Sequence, residues 1–275
     1  MISDMRKSIF IITTLFLACW GAFAQDLSPK DSLKKVFSLN DYTLIGVEYG
    51  ASMSRQQFNP SKTQGNLFVP HTFGIFMLKY GKLFDGSPNF GLKGGVRYTH
   101  QGYQFKMNKE TGVTPTLEGA EKAIIEMVEV PLMAHFHSDG LHFKVMLDLG
   151  IYGGYRLSID RIGDHVYDEF KNAFMEWDYR LDYGIEGGLG FGIVFDPFEF
   201  HVNADIHYSW GSLYRADYLS KDFYRFAYPL DAMVTAGLYF QITKRTGKTK
   251  GQIRREAYNQ VYHPQTNGNT DSQGR

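Results

Sequence analysis

The chain has little cysteine, no surplus of either charge and no long apolar run after its first residues. Its only cysteine is Cys19, so a disulfide framework is excluded. Acidic and basic residues number 29 each over 275 residues, and this balance lacks the clustered basic surface that nucleic acid requires. After the N-terminus no stretch approaches the roughly 18 apolar residues of a membrane-spanning helix. Helical spans are therefore excluded there, and no nucleic-acid partner is expected.

The N-terminus has the three parts of a secretory signal peptide. The basic pair Arg6 and Lys7 precedes an apolar stretch, and the small residues of "AFA" follow it. We therefore expect residues 1–24 to be a signal peptide and residues 25–41 to be a polar periplasmic lead. Lipid attachment to Cys19 is the alternative, because "LAC" is part of a lipoprotein box.

What the sequence has instead of apolar runs is alternation of apolar and polar residues with period two. The stretches "HFKVMLDLGIYGGYR" and "EFHVNADIHYSW" each place apolar residues on one face and mostly polar ones on the other. The second alternates over all 12 quoted residues. Soluble strands have about 5 to 6 residues, whereas membrane-spanning strands need about 9 to 11. The pattern therefore favours strands that cross a membrane.

The same alternation predicts eight strands, at 42–53, 71–81, 89–104, 123–136, 142–157, 177–195, 199–211 and 229–243. Connections after the second, fourth and sixth strands are short and carry turn residues, whereas the other connections are about 15 to 20 residues long. Short turns at one end and long loops at the other are typical of an outer-membrane barrel.

The predicted fold is therefore all-β, an eight-stranded antiparallel up-and-down transmembrane β-barrel over residues 42–243 in the cell outer membrane. The outer loops are predicted at 54–70, 105–122, 158–176 and 212–228. Residues 244–275 lose the alternation and are expected to form a disordered basic periplasmic tail. A docking segment for another envelope protein or for peptidoglycan is the alternative reading of this tail.

The segments "EMVEVPLMAHF" and "LDYGIEGGLGFGIVF" resemble strands of the PorT-like outer membrane β-barrel proteins of Bacteroidetes. The resemblance covers about residues 42–243 and implies an eight-stranded barrel in the outer membrane. One branch of that family serves a protein secretion system. The long polar segment after "LYFQITK" departs from the terminal aromatic on which barrel proteins commonly end.

The polar faces of the predicted strands place charges of both signs inside the barrel. Buried charges must be paired, because an isolated one costs several kcal/mol. We therefore expect an ionic plug that closes the lumen, with Glu129 paired to a basic residue of the third or fifth predicted strand; a narrow gated passage is the alternative. The predicted interior cluster consists of Glu48, Lys93, Arg97, Glu129, Lys144, Asp148, Arg156, Asp178, Arg180, Asp182, Glu186 and Asp205.

The glycines of "LDYGIEGGLGFG" fall mostly on the polar, inward face of the sixth predicted strand. A dinucleotide loop needs a helix after its glycines, but "IVF" and a turn follow here. We therefore expect the glycines to leave room for large side chains of neighbouring strands.

The expected role is structural or binding and not enzymatic, with no metal or other cofactor. Expected partners are outer-membrane lipid and lipopolysaccharide, with envelope or secretion-system proteins as further candidates. One alternative is a lipid A-modifying hydrolase, because His207 and Ser209 are two residues apart on one strand face and resemble the His-x-Ser pair of barrel deacylases. The other alternative is an accessory of a protein secretion machine.

Overall fold

The computed structural model describes residues 41–81, 89–110, 112–219, 221–245, 247–248 and 250–262. The predicted signal peptide, residues 1–24, and the lead up to residue 40 lie outside the described residues. The strands are β1 Tyr42–Asn59, β2 Gln64–Gly65, β3 Leu67–Tyr80, β4 Phe90–Phe105, β5 Lys122–Asp139, β6 Phe143–Ile162, β7 Leu181–Phe195, β8 Phe198–Ser209 and β9 Phe226–Gln241. The helices are α1 Asp168–Lys171 and α2 Lys250–Tyr262.

The eight long strands form one closed antiparallel ring. Their order is β4-β3-β1-β9-β8-β7-β6-β5, and pairing of β4 with β5 completes the ring. The first and last strands pair from Leu44 opposite Gln241 to Asn59 opposite Phe226. The short β2 pairs only with the end of β4. The predicted eight-stranded up-and-down barrel is thus confirmed, and neither described helix is long and apolar enough to cross a membrane.

Several strands extend further toward the long loops than predicted. β1 reaches Asn59 and β6 reaches Ile162, whereas the predicted ends were residues 53 and 157. β7, in contrast, begins at Leu181 and not at residue 177. The extended ends of these strands pack around an apolar cluster at the loop end of the barrel. This packing stabilises strands that are longer than a membrane requires.

Two buried apolar groups lie inside the barrel, one near each end. The loop-end cluster consists of Phe58, Tyr103, Phe105, Leu117, Ala123, Ile125, Ile159, Leu213, Tyr214 and Ala227. The turn-end cluster consists of Tyr42, Leu44, Phe76, Leu78, Tyr80, Met133 and Tyr239. The charged side chains of the interior lie mainly between these two clusters along the strands.

The outward face is apolar over most of the strand length. Alternate residues from Ile45 to Tyr49 on β1, from Phe198 to Ile206 on β8 and from Val234 to Phe240 on β9 include many large apolar side chains that are exposed. A belt of this kind is about 25 Å tall in outer-membrane barrels, where it contacts lipid.

The segment after β9 differs from the prediction of a disordered tail. Residues Lys250–Tyr262 form α2, whose described side chains are exposed. Glutamine, arginine, glutamate and alanine favour helix, and Lys248 pairs with Glu256 at 2.6 Å. The period-two pattern therefore ends where the barrel ends, but regular structure continues after it as a helix. Residues 263–275 lie outside the described part of the chain.

Candidate functional site

The interior of the barrel is a continuous network of charged side chains. Alternation along each strand turns one polar face inward, and the ring brings these faces together. Ten of the predicted interior residues are at most 3% exposed. These are Glu48, Lys93, Arg97, Glu129, Lys144, Asp148, Arg156, Asp182, Glu186 and Asp205.

The other two predicted interior residues lie before the start of β7. Arg180 is exposed, and its guanidinium carbon lies 4.6 Å from the ring centre of Phe174, so its predicted position inside the lumen is wrong. Asp178 pairs with Arg161 at 2.6 Å in the loop end. The prediction counted alternation through residues 177–180, where the chain is not yet a strand, and the count does not hold outside a pleated strand.

At the turn end, the network centres on Glu199 of β8. Lys144 donates to both carboxylate oxygens of Glu199 at 2.8 Å, and Nε2 of His201 lies 3.0 Å away. Tyr42 donates at 2.9 Å, and Arg245 donates at 2.6 Å from beyond the end of β9. Sequence reasoning missed Glu199 and Arg245. The alternation of β8 places Glu199 on the inward face, but nothing in the local pattern indicates that Arg245 reaches back into the barrel.

In the middle of the barrel, Lys93 joins two carboxylates from opposite directions. Its Nζ lies 2.8 Å from Glu48 and 3.5 Å from Asp148. Tyr239 donates to Glu48 at 2.5 Å, and Nδ1 of His135 lies 2.5 Å from Asp148. Both carboxylates are therefore hydrogen-bonded as well as paired, which is what a buried charge requires.

Closer to the loop end, Arg97 is the basic partner of Glu129. The two residues lie opposite each other on β4 and β5, and Nε of Arg97 donates to Glu129. Nη2 of Arg97 donates across the barrel to Glu186 of β7 at 2.8 Å. His207 of β8 completes the group, with its Nε2 2.9 Å from Glu186. Arg97 thus connects strands on two sides of the lumen.

The last ionic group lies below the loop-end cluster. Arg156 is fully buried and its Nη2 donates to Asp182 at 3.1 Å, while its Nη1 donates to the carbonyl of Tyr179 at 2.7 Å. Gln101 donates to the second oxygen of Asp182 at 2.5 Å. Together the four groups place ion pairs at successive heights along the lumen.

Asp205 is the exception within this network. Both of its carboxylate oxygens are buried and have no hydrogen-bond partner among the described residues. It is not part of a metal site of recognisable form, because the described residues contain no group of three or more His, Cys, Asp or Glu side chains placed to hold a metal ion.

His207 and Ser209 do not form a nucleophile and base pair. The hydroxyl of Ser209 donates to Asp182, and the ring of His207 faces Glu186 and Arg97. Both side chains are at most 1% exposed. The alternative of a hydrolase has no support from this geometry, because the Ser209 hydroxyl is bound to Asp182 and Nε2 of His207 is bound to Glu186 and Arg97.

The glycines of β7 lie where inward side chains of neighbouring strands need space. A Cβ on Gly188 would overlap the carboxylate of Asp205 and lie 2.8 Å from the carbonyl oxygen of Ala204. A Cβ on Gly192 would lie 2.9 Å from the ring of His201. The segment is strand throughout, so the glycines leave the inner face of β7 without side chains at these positions.

The loop-end cluster closes the lumen above the ion pairs. Trp177, Phe174 and Tyr218 from the loops pack against it. Burial raises the pKa of Tyr214 to about 12, so this phenol stays neutral at physiological pH. The closure is therefore mainly apolar where the loops meet the barrel, with the buried pair of Arg161 and Asp178 beside it.

A closed ring with an apolar outer belt and a paired ionic interior defines a transmembrane β-barrel. Residues 23–213 match the model of the outer membrane protein beta-barrel domain, and the chain belongs to this family. The protein is thus an outer-membrane protein. No curated protein matches the chain.

Solved outer-membrane barrels also resemble the chain. Ail, the attachment invasion locus protein of Yersinia pestis, is 16% identical over 72% of this chain and 99% of its own, with a TM-score of 0.37. OprG of Pseudomonas aeruginosa is 11% identical over 76% of this chain and 100% of its own, with a TM-score of 0.40. Neisserial surface protein A is 12% identical over 72% of this chain and 96% of its own, with a TM-score of 0.40.

Proposed function

We propose that this protein is a non-enzymatic, structural or binding barrel of the outer membrane, whose lumen is closed to solutes and whose outer loops contact ligands or partners. The interior network carries the proposal. Arg97 binds carboxylates from β5 and β7 at one height. Below it, Lys93 lies between carboxylates of β1 and β6, and Lys144 binds Glu199 of β8. A continuous water path would have to separate several buried ion pairs, each at a cost of several kcal/mol.

The outer loops support the binding part of the proposal. Phe223 is 74% exposed, and Tyr167, Leu219 and Tyr224 are also largely exposed. Exposed apolar patches mark interaction sites in proteins, and these loop side chains are candidates for such contacts. The outward belt contacts outer-membrane lipid, and lipopolysaccharide is the expected neighbour at the loop end.

Within the family, the PorT-like group is the finer assignment that we propose. It is supported by "VEVPLMAHF", which forms part of β5 and contributes Glu129, and by "LDYGIEGGLGFG", which begins β7 and contributes Asp182 and Glu186. The motif carboxylates are thus those that Arg97 and Arg156 bind. We also retain residues 1–24 as a proposed signal peptide and residues 25–41 as a proposed periplasmic lead.

Conductance of the purified protein in planar lipid bilayers tests the closed lumen. We expect no stepwise current in KCl under conditions in which a general porin conducts. Leu189→Val, which changes only an outward side chain, should behave in the same way. Stable unitary currents from the wild-type protein would refute the closed-lumen proposal.

A further inference from the structure

The wall of the barrel contains a seam between β3 and β4. These strands pair from Tyr80 opposite Gly91 to Phe73 opposite Tyr98, and no further pair joins them in the described chain. Both strands nevertheless continue, because β3 still pairs with β1 at Leu67 and β4 still pairs with β5 at Gln104. We use the name seam for residues 67–72 of β3 and 99–103 of β4. β2 closes its upper end by pairing with β4.

Side chains of β1 replace the missing ladder. The hydroxyl of Ser54 lies 3.0 Å from the carbonyl oxygen of Gly102, and the Gly102 amide donates to the same hydroxyl at 2.9 Å. Ser52 lies within hydrogen-bond reach of the carbonyl oxygens of both Val69 and His100, at 3.4 and 3.2 Å. The backbone of β4 therefore keeps partners, as it must near lipid, but these are side-chain contacts that rotamer changes can break.

A threonine pair is a direct link across the seam. The hydroxyl oxygens of Thr72 and Thr99 lie 3.2 Å apart. Next to them, His71 has a φ of 87°, a conformation that non-glycine residues rarely adopt. Strain of this kind persists where the surrounding structure imposes it and occurs often at segments that switch.

The seam lies at the upper edge of the outward apolar belt. Outward side chains are apolar at Met53 on β1 and Val96 on β4, and then become polar at Arg55 and Gln104 on the same strands. On β3 the exposed His71 is hydrogen-bonded to Tyr49 of β1, with 2.7 Å between Nδ1 of His71 and the Tyr49 hydroxyl oxygen. This change from apolar to polar side chains marks the level of the outer-leaflet headgroups.

Behind the upper end of the seam, at Leu67 and Tyr103, lies the apolar loop-end cluster, whereas Gln101 lower in the seam donates to Asp182 of the ionic network at 2.5 Å. Leu67 of the seam is fully buried, and Tyr103 of the seam packs with Phe58 and Phe105. Separation of strands elsewhere would expose buried charges to hydrocarbon at high cost. Separation at this height brings apolar side chains against acyl chains, which are about as apolar as leucine.

We propose that the seam is a lateral gate through which one acyl chain of an outer-leaflet lipid enters the loop-end cluster. Opening breaks the contacts of Ser52, Ser54 and Gln56 with the β4 backbone and the contact between Thr72 and Thr99, while β3 and β4 remain held by β1 and β5. The acyl chain packs among Tyr103, Phe105 and Ile125, and the headgroup stays outside near His71 and Tyr49. This gate is distinct from an aqueous channel, since the ion pairs below it stay closed.

Photolabelling from the bilayer tests the gate. Full-length Cys19→Ser protein is placed in phosphatidylcholine vesicles that contain a phospholipid with a diazirine at the end of one acyl chain. After illumination, labelled peptides are mapped by mass spectrometry. We expect label on Tyr103, Phe105 or Ile125, and a several-fold increase in the Ser52→Ala/Ser54→Ala variant. The exposed Phe73 reports equal access to lipid in every sample.

A disulfide lock supplies the decisive comparison. Thr72→Cys/Thr99→Cys places sulfurs where the hydroxyls are 3.2 Å apart, which suits a disulfide after a small shift. Oxidation should abolish the interior label, and reduction should restore it. Ile75→Cys/Val96→Cys, opposite each other on the paired part of the same strands, is the matched control and should leave the label unchanged.

Two results would overturn the gate. One is interior label that persists in the oxidised Thr72→Cys/Thr99→Cys protein; the other is the absence of interior label from wild-type and reduced proteins that label normally at Phe73. The Thr72→Cys/Thr99→Cys comparison tests the gate even if the Ser52→Ala/Ser54→Ala variant does not fold. Because the readout is lipid contact and not ion current, failure of the gate and failure of the closed lumen remain distinguishable.

Discussion

Arg97 and Glu129 show how a single interior side chain depends on its partners. Neither is more than 1% exposed, and Arg97 also binds Glu186 across the lumen. In such a pair most of the energetic consequence lies in the charge that remains after a partner is removed. The same reasoning explains why bulk cannot be added at Gly188, where the carboxylate of Asp205 occupies the available space.

Glu129→Ala should destabilise the folded barrel by about 3–5 kcal/mol, because it leaves part of the Arg97 charge unpaired in a buried site. Urea unfolding in detergent micelles, followed by tryptophan fluorescence, measures the change. The control is Glu126→Ala on the outward face of the same strand, which should change stability by less than about 1 kcal/mol. Equal stability of the wild-type protein and Glu129→Ala would contradict the inferred importance of the pair.

Gly188→Trp should prevent folding into lipid vesicles, because even a Cβ at this position overlaps Asp205. Leu189→Val on the opposite face should fold normally, since its side chain is largely exposed. The folded fraction is measured by the mobility difference between unheated and heated samples in SDS gels. Efficient folding of Gly188→Trp would show that the inner face of β7 has more space than the structure indicates.

Strands and the segments between them set how the barrel ends are closed. At the loop end, extended strands and inward-packed loop residues such as Trp177 build an apolar closure. At the turn end, the segment after β9 folds back so that Arg245 binds Glu199 and lies over Tyr42, with its guanidinium carbon 3.9 Å from the ring centre. Both ends therefore combine buried aromatic side chains with a buried ion pair, Arg161 with Asp178 at the loop end and Arg245 with Glu199 at the turn end.

Arg245→Ala should lower stability by about 1.5–3 kcal/mol, the usual contribution of a hydrogen bond to a charged group. Glu199 keeps Lys144 and His201, so the loss should be smaller than in Glu129→Ala. Arg254→Ala in the exposed α2 is the control and should have no measurable effect. Urea unfolding in detergent micelles compares the two variants. Indistinguishable unfolding curves for Arg245→Ala and Arg254→Ala would exclude a role for Arg245 in closing the turn end of the barrel.

The barrel as a whole has one end with long loops and one end with shorter connections. The turn between β5 and β6 occupies only residues 140–142, whereas 16 residues separate β8 from β9. In the outer membrane the long loops are expected to face outward and the turns to face the periplasm.

Cysteine labelling on intact cells checks this orientation. In a Cys19→Ser background, Phe223→Cys should react with a membrane-impermeant maleimide, because this loop residue is highly exposed. Leu141→Cys in the turn is also exposed but should react only after the outer membrane is permeabilised. Labelling of Leu141→Cys on intact cells would reverse the inferred orientation.

The sequence by itself determined the strand number, the antiparallel order and the face on which most charges lie. Period-two alternation is a local property, and a pleated strand converts it directly into inside and outside. Where the chain is not a pleated strand, alternation does not separate inside from outside, as Arg180 shows. In the tail, the end of alternation does not exclude helix, and residues Lys250–Tyr262 form one.

Only the tertiary structure decided which charges meet. Arg97 and Glu186 are 89 residues apart, and Arg245 and Glu199 belong to segments that join only when the ring closes. The seam is likewise a property of register, since β3 and β4 pair regularly as far as Phe73 and Tyr98 and part above them. Pairing across a lumen depends on strand order, shear and closure, and these are set by the whole barrel and not by any one strand.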